Sequence, residues 1–148
     1  MNQNRFGSGT STLGEAIHTL RAAQAAGDLT DRFSVELERS FDRHDAIHIL
    51  FDCGNSIQDE IAVHIWMIFA TTVDIKEMHH AVADREHRNV LAGIGHFKLL
   101  GTWLVALPRI VIIIFKSLRM KKKLAVEELS KLKQQSIDDI HREHGIVL

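Results

Sequence analysis

The chain has 148 residues, 45% of them hydrophobic and 25% charged, with a single proline and a single cysteine; this is one domain, long enough to bury about two thirds of its unfolded surface. Such a composition excludes a disordered chain and an internal disulfide framework. The net charge of −1 hides an asymmetry, since residues 1–95 carry 8 basic and 14 acidic side chains whereas residues 96–148 carry 10 basic and 5 acidic ones, so the C-terminal part is the part suited to an anionic surface.

Helical periodicity runs along the chain, with no sustained apolar–polar alternation and no Asn-Gly or Asp-Gly hairpin signal, which predicts an all-α domain: a bundle of about six helices behind a flexible start at residues 1–11. The first helix opens at "TLGE", where Thr12 and Glu15 have capping-box spacing, stops near Gly27 and buries Leu13, Ile17 and Leu20. The second runs from near Thr30 to Cys53. In it Phe33, Leu37, Phe41, His44, His48 and Phe51 recur every three or four residues, so two histidines continue the apolar stripe. Gly54 and Asn55 are the expected stop. "SIQD" restarts the chain with Ser56 as N-cap, Asp59 three residues on and Glu60 in the first turn or so of a third helix. That helix, "IQDEIAVHIWMIFATT", is apolar on nearly all sides and belongs at the centre of the bundle. Residues 74–90 form a more solvated helix, and Gly93, Gly95 and Gly101 loosen the chain after it. A long apolar segment follows, then a helix over "KLAVEELSKLKQQ", and last a short helix opened by "SIDD" and closed by Gly145.

On the second helix His44 and His48, four residues apart, face the same way about 6 Å from each other, a spacing that lets two imidazoles hold one ion. Asp45 is placed either to ligate or to orient an imidazole from outside the ligand shell. Glu60, brought back by the turn, reaches the same point from the neighbouring antiparallel helix. The bland alternative makes the histidines hydrogen-bonded core residues and the carboxylates caps or half-exposed groups. As a ligand set, two nitrogens and up to two carboxylates suit Zn, Fe, Mn or Co and also accept Mg; ligand type alone does not choose, and zinc is the expected ion. His64, one turn beyond Glu60, is the candidate catalytic proton acceptor or extra ligand.

The stretch "HDAIHILFDCGNSIQDE" has the form H-D-x-x-H, eleven residues, then E. It resembles the signature of the Coq-four family, the fourth Coq protein of ubiquinone (coenzyme Q) biosynthesis. The resemblance covers residues 40–65 well and residues 120–146 loosely, the latter through "SIDDIHREHGI"; the family's glycine after the first helix of the motif survives as Gly54, while the aromatic-arginine block before the motif is reduced to "ERSFDRHD" and the region preceding it is short. It implies that His44, Asp45, His48 and Glu60 are the metal ligands. It further implies an all-α fold, a site beside a cavity for a polyprenyl quinone precursor, peripheral membrane attachment, and support for assembly of other quinone-biosynthesis proteins. The activity it implies is oxidative decarboxylation of the precursor ring at carbon one.

Between Lys98 and Lys116 lies "LLGTWLVALPRIVIIIF", 17 residues that nearly span a bilayer. Arg109 beside Pro108 at its middle argues against crossing, since a central arginine costs roughly 2.5 to 3.5 kcal/mol on insertion. A surface-associated or lipid-lining helix is therefore expected, with Arg109 facing an acidic partner or an anionic lipid head group, or snorkelling to the surface. Lys116, Arg119, Lys121, Lys122 and Lys123 follow, each adding about 1 kcal/mol near an anionic leaflet. Apolar surface and a basic cluster are two membrane signals, enough for reversible attachment. The other reading of this region is a core helix with a solvated basic end.

The polar opening "MNQNRFGSGTST" lacks the apolar core of a secretory signal, and with one cysteine this places the chain on the cytoplasmic side, peripherally on the inner face of a bacterial membrane. Expected partners are a polyprenyl quinone precursor or another prenylated lipid, quinone-biosynthesis proteins and a second copy of the chain. No nucleic acid is expected, because the basic cluster has no base-stacking aromatics. Cys53 reads as an inert buried thiol, and Glu77, His79, His80, His87, His141 and His144 as surface residues. Two other functions compete with the quinone enzyme: a non-catalytic lipid-binding scaffold with a structural ion, and a His-Asp type phosphohydrolase, whose isolated His and distant Asp do not fit ligands at +4 and +16.

Overall fold

A computed structural model describes residues 11–25, 35–73 and 96–148. Among these the chain is all-α, with helices α1 (Leu13–Ala25), α2 (Val35–Leu50), α3 (Ile57–Ala70), α4 (His96–Leu118), α5 (Leu129–Leu132) and α6 (Ile137–His144), and a 3-10 turn at Val126–Glu128. The expected helix over residues 74–90, the stop near Gly27 and the glycines at 93 and 95 lie outside the described residues.

Each of the local start signals forms. Thr12 and Glu15 make the reciprocal capping box of α1, with Thr12 N donating to Glu15 Oε2 at 2.9 Å and Glu15 N to Thr12 Oγ1 at 3.3 Å. Ser56 and Asp59 make that of α3. Ser136 caps α6 by accepting from Asp139 N at 3.1 Å. Gly145 ends α6 in the left-handed region at φ 68°, and a Cβ there would stand 2.8 Å from Lys121 Cγ, so both backbone angle and space demand glycine.

Three expectations change. The stop of α2 is Asp52, at φ 48°, rather than Gly54. Cys53 N donates to His48 O at 2.9 Å and Asp52 N to Ile49 O at 3.4 Å, the paired bonds of a Schellman ending, in which an aspartate replaces the usual glycine. The helix expected from residue 123 begins only with the 3-10 turn at Val126: Leu124 N donates to Ala70 O at 2.8 Å and Thr72 N to Leu124 O at 3.0 Å, so the backbone of Leu124 is spent on the end of α3. Finally α4 is one helix through Pro108. The ring and the Leu104 carbonyl it strands lie on the exposed side, where water satisfies the orphan group.

The core joins Leu13, Ile17 and Leu20 of α1, Ile47, Ile49 and Leu50 of α2, and Val63, Trp66 and Met67 of α3. Ile137 and Ile140 of α6 and Leu124 also belong to it. Phe51, in the turn after α2, stacks on Trp66 with ring centroids 3.9 Å apart. The start of α1 is clasped to the C-terminal segment: Leu13 N reaches Gln135 O and Gly14 N reaches Lys133 O, both at 3.0 Å, and Ile137 N reaches Ser11 O at 3.1 Å. The "HREH" histidines, expected at the surface, instead serve packing. His141 donates from Nε2 to Leu50 O at 2.9 Å, and His144, buried, donates from Nδ1 to Lys122 O at 3.3 Å. Their short helix is amphipathic, so one face must be covered, and that face carries both rings.

α4 has two unlike sides. Ala106, Ile113 and Ser117 are buried, α3 packing on this helix, while Leu104, Val105, Leu107, Val111, Ile112, Phe115 and Leu118 are exposed. At 100° per residue the exposed set forms a broad apolar face turned away from α3. Among the described residues no helix is long and apolar enough to cross a membrane.

Candidate metal centre

Helix α2 supplies two imidazoles and α3 one carboxylate. His44 Nε2 lies 3.2 Å from Glu60 Oε2 and His48 Nε2 lies 3.3 Å from Glu60 Oε1, so the carboxylate divides its oxygens between the rings. The two ring centroids are 4.6 Å apart at an interplanar angle of 64°. Ligand atoms of His44, His48 and Glu60 all fall within 4.8 Å of one another. Four ligands held tetrahedrally about 2.1 Å from an ion are about 3.4 Å apart, close to the two nitrogen–oxygen separations, which are also hydrogen-bonding distances. Two imidazoles and a carboxylate so gathered could hold a divalent metal.

The turn between the helices builds this site twice over. By folding Cys53 back on His48 it places the Cys53 carbonyl 3.1 Å from His48 Nδ1. A carbonyl only accepts, so Nδ1 carries the proton and the Nε2 lone pair of the neutral ring faces Glu60. The same turn lets Ser56 start α3 with Glu60 one turn from the imidazoles.

Charge follows the geometry. Burial works against the His48 cation, but bonds to Glu60 and to the Cys53 carbonyl outweigh it and raise the ring above its ordinary value. Burial likewise opposes ionisation of Glu60, yet bonds and charge from His44 and His48 hold it far below the carboxylate range. With Nδ1 engaged, His48 donates to Glu60 only when doubly protonated. A divalent ion bound here would take the place of that positive charge.

Asp45 is not brought to this group. Its Oδ2 accepts from Arg21 Nε at 2.7 Å, and Arg21 Nη2 also lies 2.8 Å from Asp42 Oδ1. Asp42 pairs with Lys133 as well. Asp45 is buried, and its charge is matched by α1 rather than by the ion. His64 lies beside the group without joining it: Nδ1 donates to Glu60 O at 2.7 Å, and its ring centroid is 5.9 Å from that of His44.

Arg109 pairs with Asp59, Nη1 to Oδ1 at 2.7 Å, so of the partners expected for it, an acidic side chain, a lipid head group or solvent, the acidic side chain is the one in contact. Of the basic cluster, Lys122 pairs with Glu143 and Lys121 Nζ caps Arg142 O at 3.2 Å, while Arg119 and Lys123 are exposed. The Cys53 thiol is pushed up to about 11 by burial and is inert; its carbonyl is what serves the site. Arg21 and that carbonyl were not visible as site parts in the sequence, because a partner 24 residues away and a backbone oxygen leave no spacing signal. Asp59 was legible as a cap, but not as the partner of Arg109. A cavity of about 20 Å³ lies between Ala46, Leu50, Leu124 and Leu132, room for about one water and no lipid. Glu77, His79, His80 and His87 are outside the described residues.

No protein-family model, curated protein or solved structure matches this chain.

Proposed function

We propose that this chain is a metal-binding protein of the ubiquinone-biosynthesis type, which presents or acts on a polyprenyl quinone precursor at a membrane surface. The observation that carries the reading is that His44, His48 and Glu60 each bring one ligand atom to within 4.8 Å of the others, with Glu60 between the two imidazoles. Support comes from the H-D-x-x-H, eleven residues, E spacing and from the apolar outer face of α4 beside Arg119 and Lys123.

Zinc is the proposed ion. Two histidines and one glutamate are the three protein ligands of an open zinc site, with the fourth position left to water or substrate; the diversion of Asp45 to Arg21 is what leaves that position open. The same three-ligand set also takes ferrous iron in oxygen-dependent chemistry. When bound, the ion supplies Lewis-acid polarisation of the group placed in the open position. The chain's own residues do the rest. Glu60 and His48 orient one another, the Cys53 carbonyl holds the His48 tautomer, and His64 accepts a proton at Nε2. The reaction proposed is oxidative decarboxylation of the precursor ring, in which carbon one loses its carboxyl group as carbon dioxide and gains a hydroxyl from water, while molecular oxygen takes up the two electrons and leaves as hydrogen peroxide. The isoprenoid tail rests on the outer face of α4, in contact with the bilayer.

The test is elemental mass spectrometry on protein purified without added metal, for wild type and for His44→Ala with Glu60→Ala, with extraction of copurifying lipid. Near-stoichiometric metal in wild type only, together with a prenylated lipid, is the expected result and opens the way to a ring-decarboxylation assay. A folded wild type that neither holds nor takes up metal overturns the reading. Retention of lipid and protein partners by the metal-free variant, with no turnover by wild type, would leave a scaffold.

A further inference from the structure

Arg109 is the one charged residue in the 17 between Lys98 and Lys116, and a helix that is otherwise free to be apolar keeps it for a reason. Its side chain, 42% exposed, reaches across to Asp59, whose carboxylate is divided: Oδ1 takes Arg109 Nη1 at 2.7 Å and Oδ2 takes Ser56 Oγ at 2.7 Å. Asp59 is the third residue of α3 and immediately precedes the ligand Glu60.

The two halves of the metal centre come from different helices, so the ligands meet only if α3 is set correctly against α2. On one side the Schellman turn at Asp52 and Cys53 joins them. On the other, α3 packs along α4, and apolar contact supplies no directional bond to the turn that carries Glu60. A charged bond of fixed direction between the middle of α4 and the first turn of α3 supplies the missing constraint. Ser56 still caps α3 without it, so the helix would start in the same place but would no longer be tied to its neighbour.

We infer that Arg109 is a positioning residue for the metal centre, acting through Asp59 to hold the Glu60 carboxylate between His44 and His48. This rests on the metal reading above. The inference assigns Arg109 to Asp59 rather than to a lipid head group, and it makes α4 a structural part of the centre although it contributes no ligand.

The test measures affinity for Zn(II) by competition with a chromophoric chelator, and the visible spectrum of the Co(II)-loaded protein, for wild type, Arg109→Met, Arg109→Lys, Asp59→Asn and the double variant. Arg109→Met is expected to bind Zn(II) about tenfold more weakly, within the range found for groups that orient ligands, and to shift the Co(II) bands. Arg109→Lys should recover most of the affinity. The double variant should be no worse than either single change, since both break one bond. Thr12→Ala, which removes the N-cap of α1, controls for a general loss of stability and should leave both readouts unchanged. If Arg109→Met does not fold, Asp59→Asn carries the same comparison. A metal-binding wild type whose Arg109→Met and Asp59→Asn forms bind Zn(II) within twofold, with superimposable Co(II) spectra, overturns the inference alone. A wild type that takes up no metal overturns the metal reading, and the inference with it.

Discussion

Asp45 and Glu60 are both acidic, both close to histidines and both within the same motif, yet they have opposite duties because different cations reach them. Asp45 is buried against Arg21, so removing its charge strands a guanidinium rather than an ion site. Asp45→Asn is therefore expected to keep metal stoichiometry while lowering unfolding free energy by about 1 to 3 kcal/mol, measured by urea titration of the metal-free form. Glu60→Gln should instead lose the metal and also lower the stability of the metal-free fold, because bonds to His44 and His48 stabilise the carboxylate in spite of its burial. Loss of metal from Asp45→Asn with unchanged stability would put Asp45 back among the ligands. The fixed spacing made His44, His48 and Glu60 legible in the sequence, because all three are placed by one helix and one turn. It did not distinguish Asp45, whose role is decided by a residue of α1.

Helix ends show where local information is sufficient. Ser56, Ser136 and Gly145 act through bonds to residues at most four or five positions away, and the sequence declares them. Asp52 is concealed because aspartate tolerates the left-handed region without advertising it, and residues 123–125 are concealed because the end of α3 captures Leu124. Gly145→Ala should cost about 1 to 2 kcal/mol from its backbone angle alone, with the contact at Lys121 adding to that, whereas Asp52→Gly should be neutral or stabilising; thermal unfolding of the two variants checks both. The histidines of α6 give that helix a pH signature. Burial lowers His141 and His144 below the ordinary value of 6.5, so near and below that value the unfolded chain binds protons which the folded chain resists, and stability falls as pH falls. Relative to His141→Gln, wild type should be most favoured above about pH 7 and lose that advantage on acidification, read from urea midpoints across about pH 5 to 8.

Over the whole molecule, apolarity and positive charge are sorted to the same end. The outer face of α4 leaves Leu104, Val111, Phe115 and Leu118 in water, with Phe115 at 62% exposure, and Arg119 and Lys123 follow directly. Binding to vesicles containing anionic lipid should fall at least tenfold in Leu104→Ser with Phe115→Ser and weaken with salt, without loss of thermal stability, as measured by co-sedimentation. Equal binding by the double variant would remove α4 from contact with lipid. The clasp between residues 11–14 and 133–137 also bears on how the protein is made. His44, His48 and Glu60 lie within residues 44–60, whereas α6, whose His141 donates to the Leu50 carbonyl, begins only at Ile137. At about 5 to 20 residues per second, several seconds separate the emergence of the three side chains from that of α6. A nascent chain stalled before residue 129 would thus present His44, His48 and Glu60 without α6, and metal capture would have to compete with aggregation of an open core until α6 emerges.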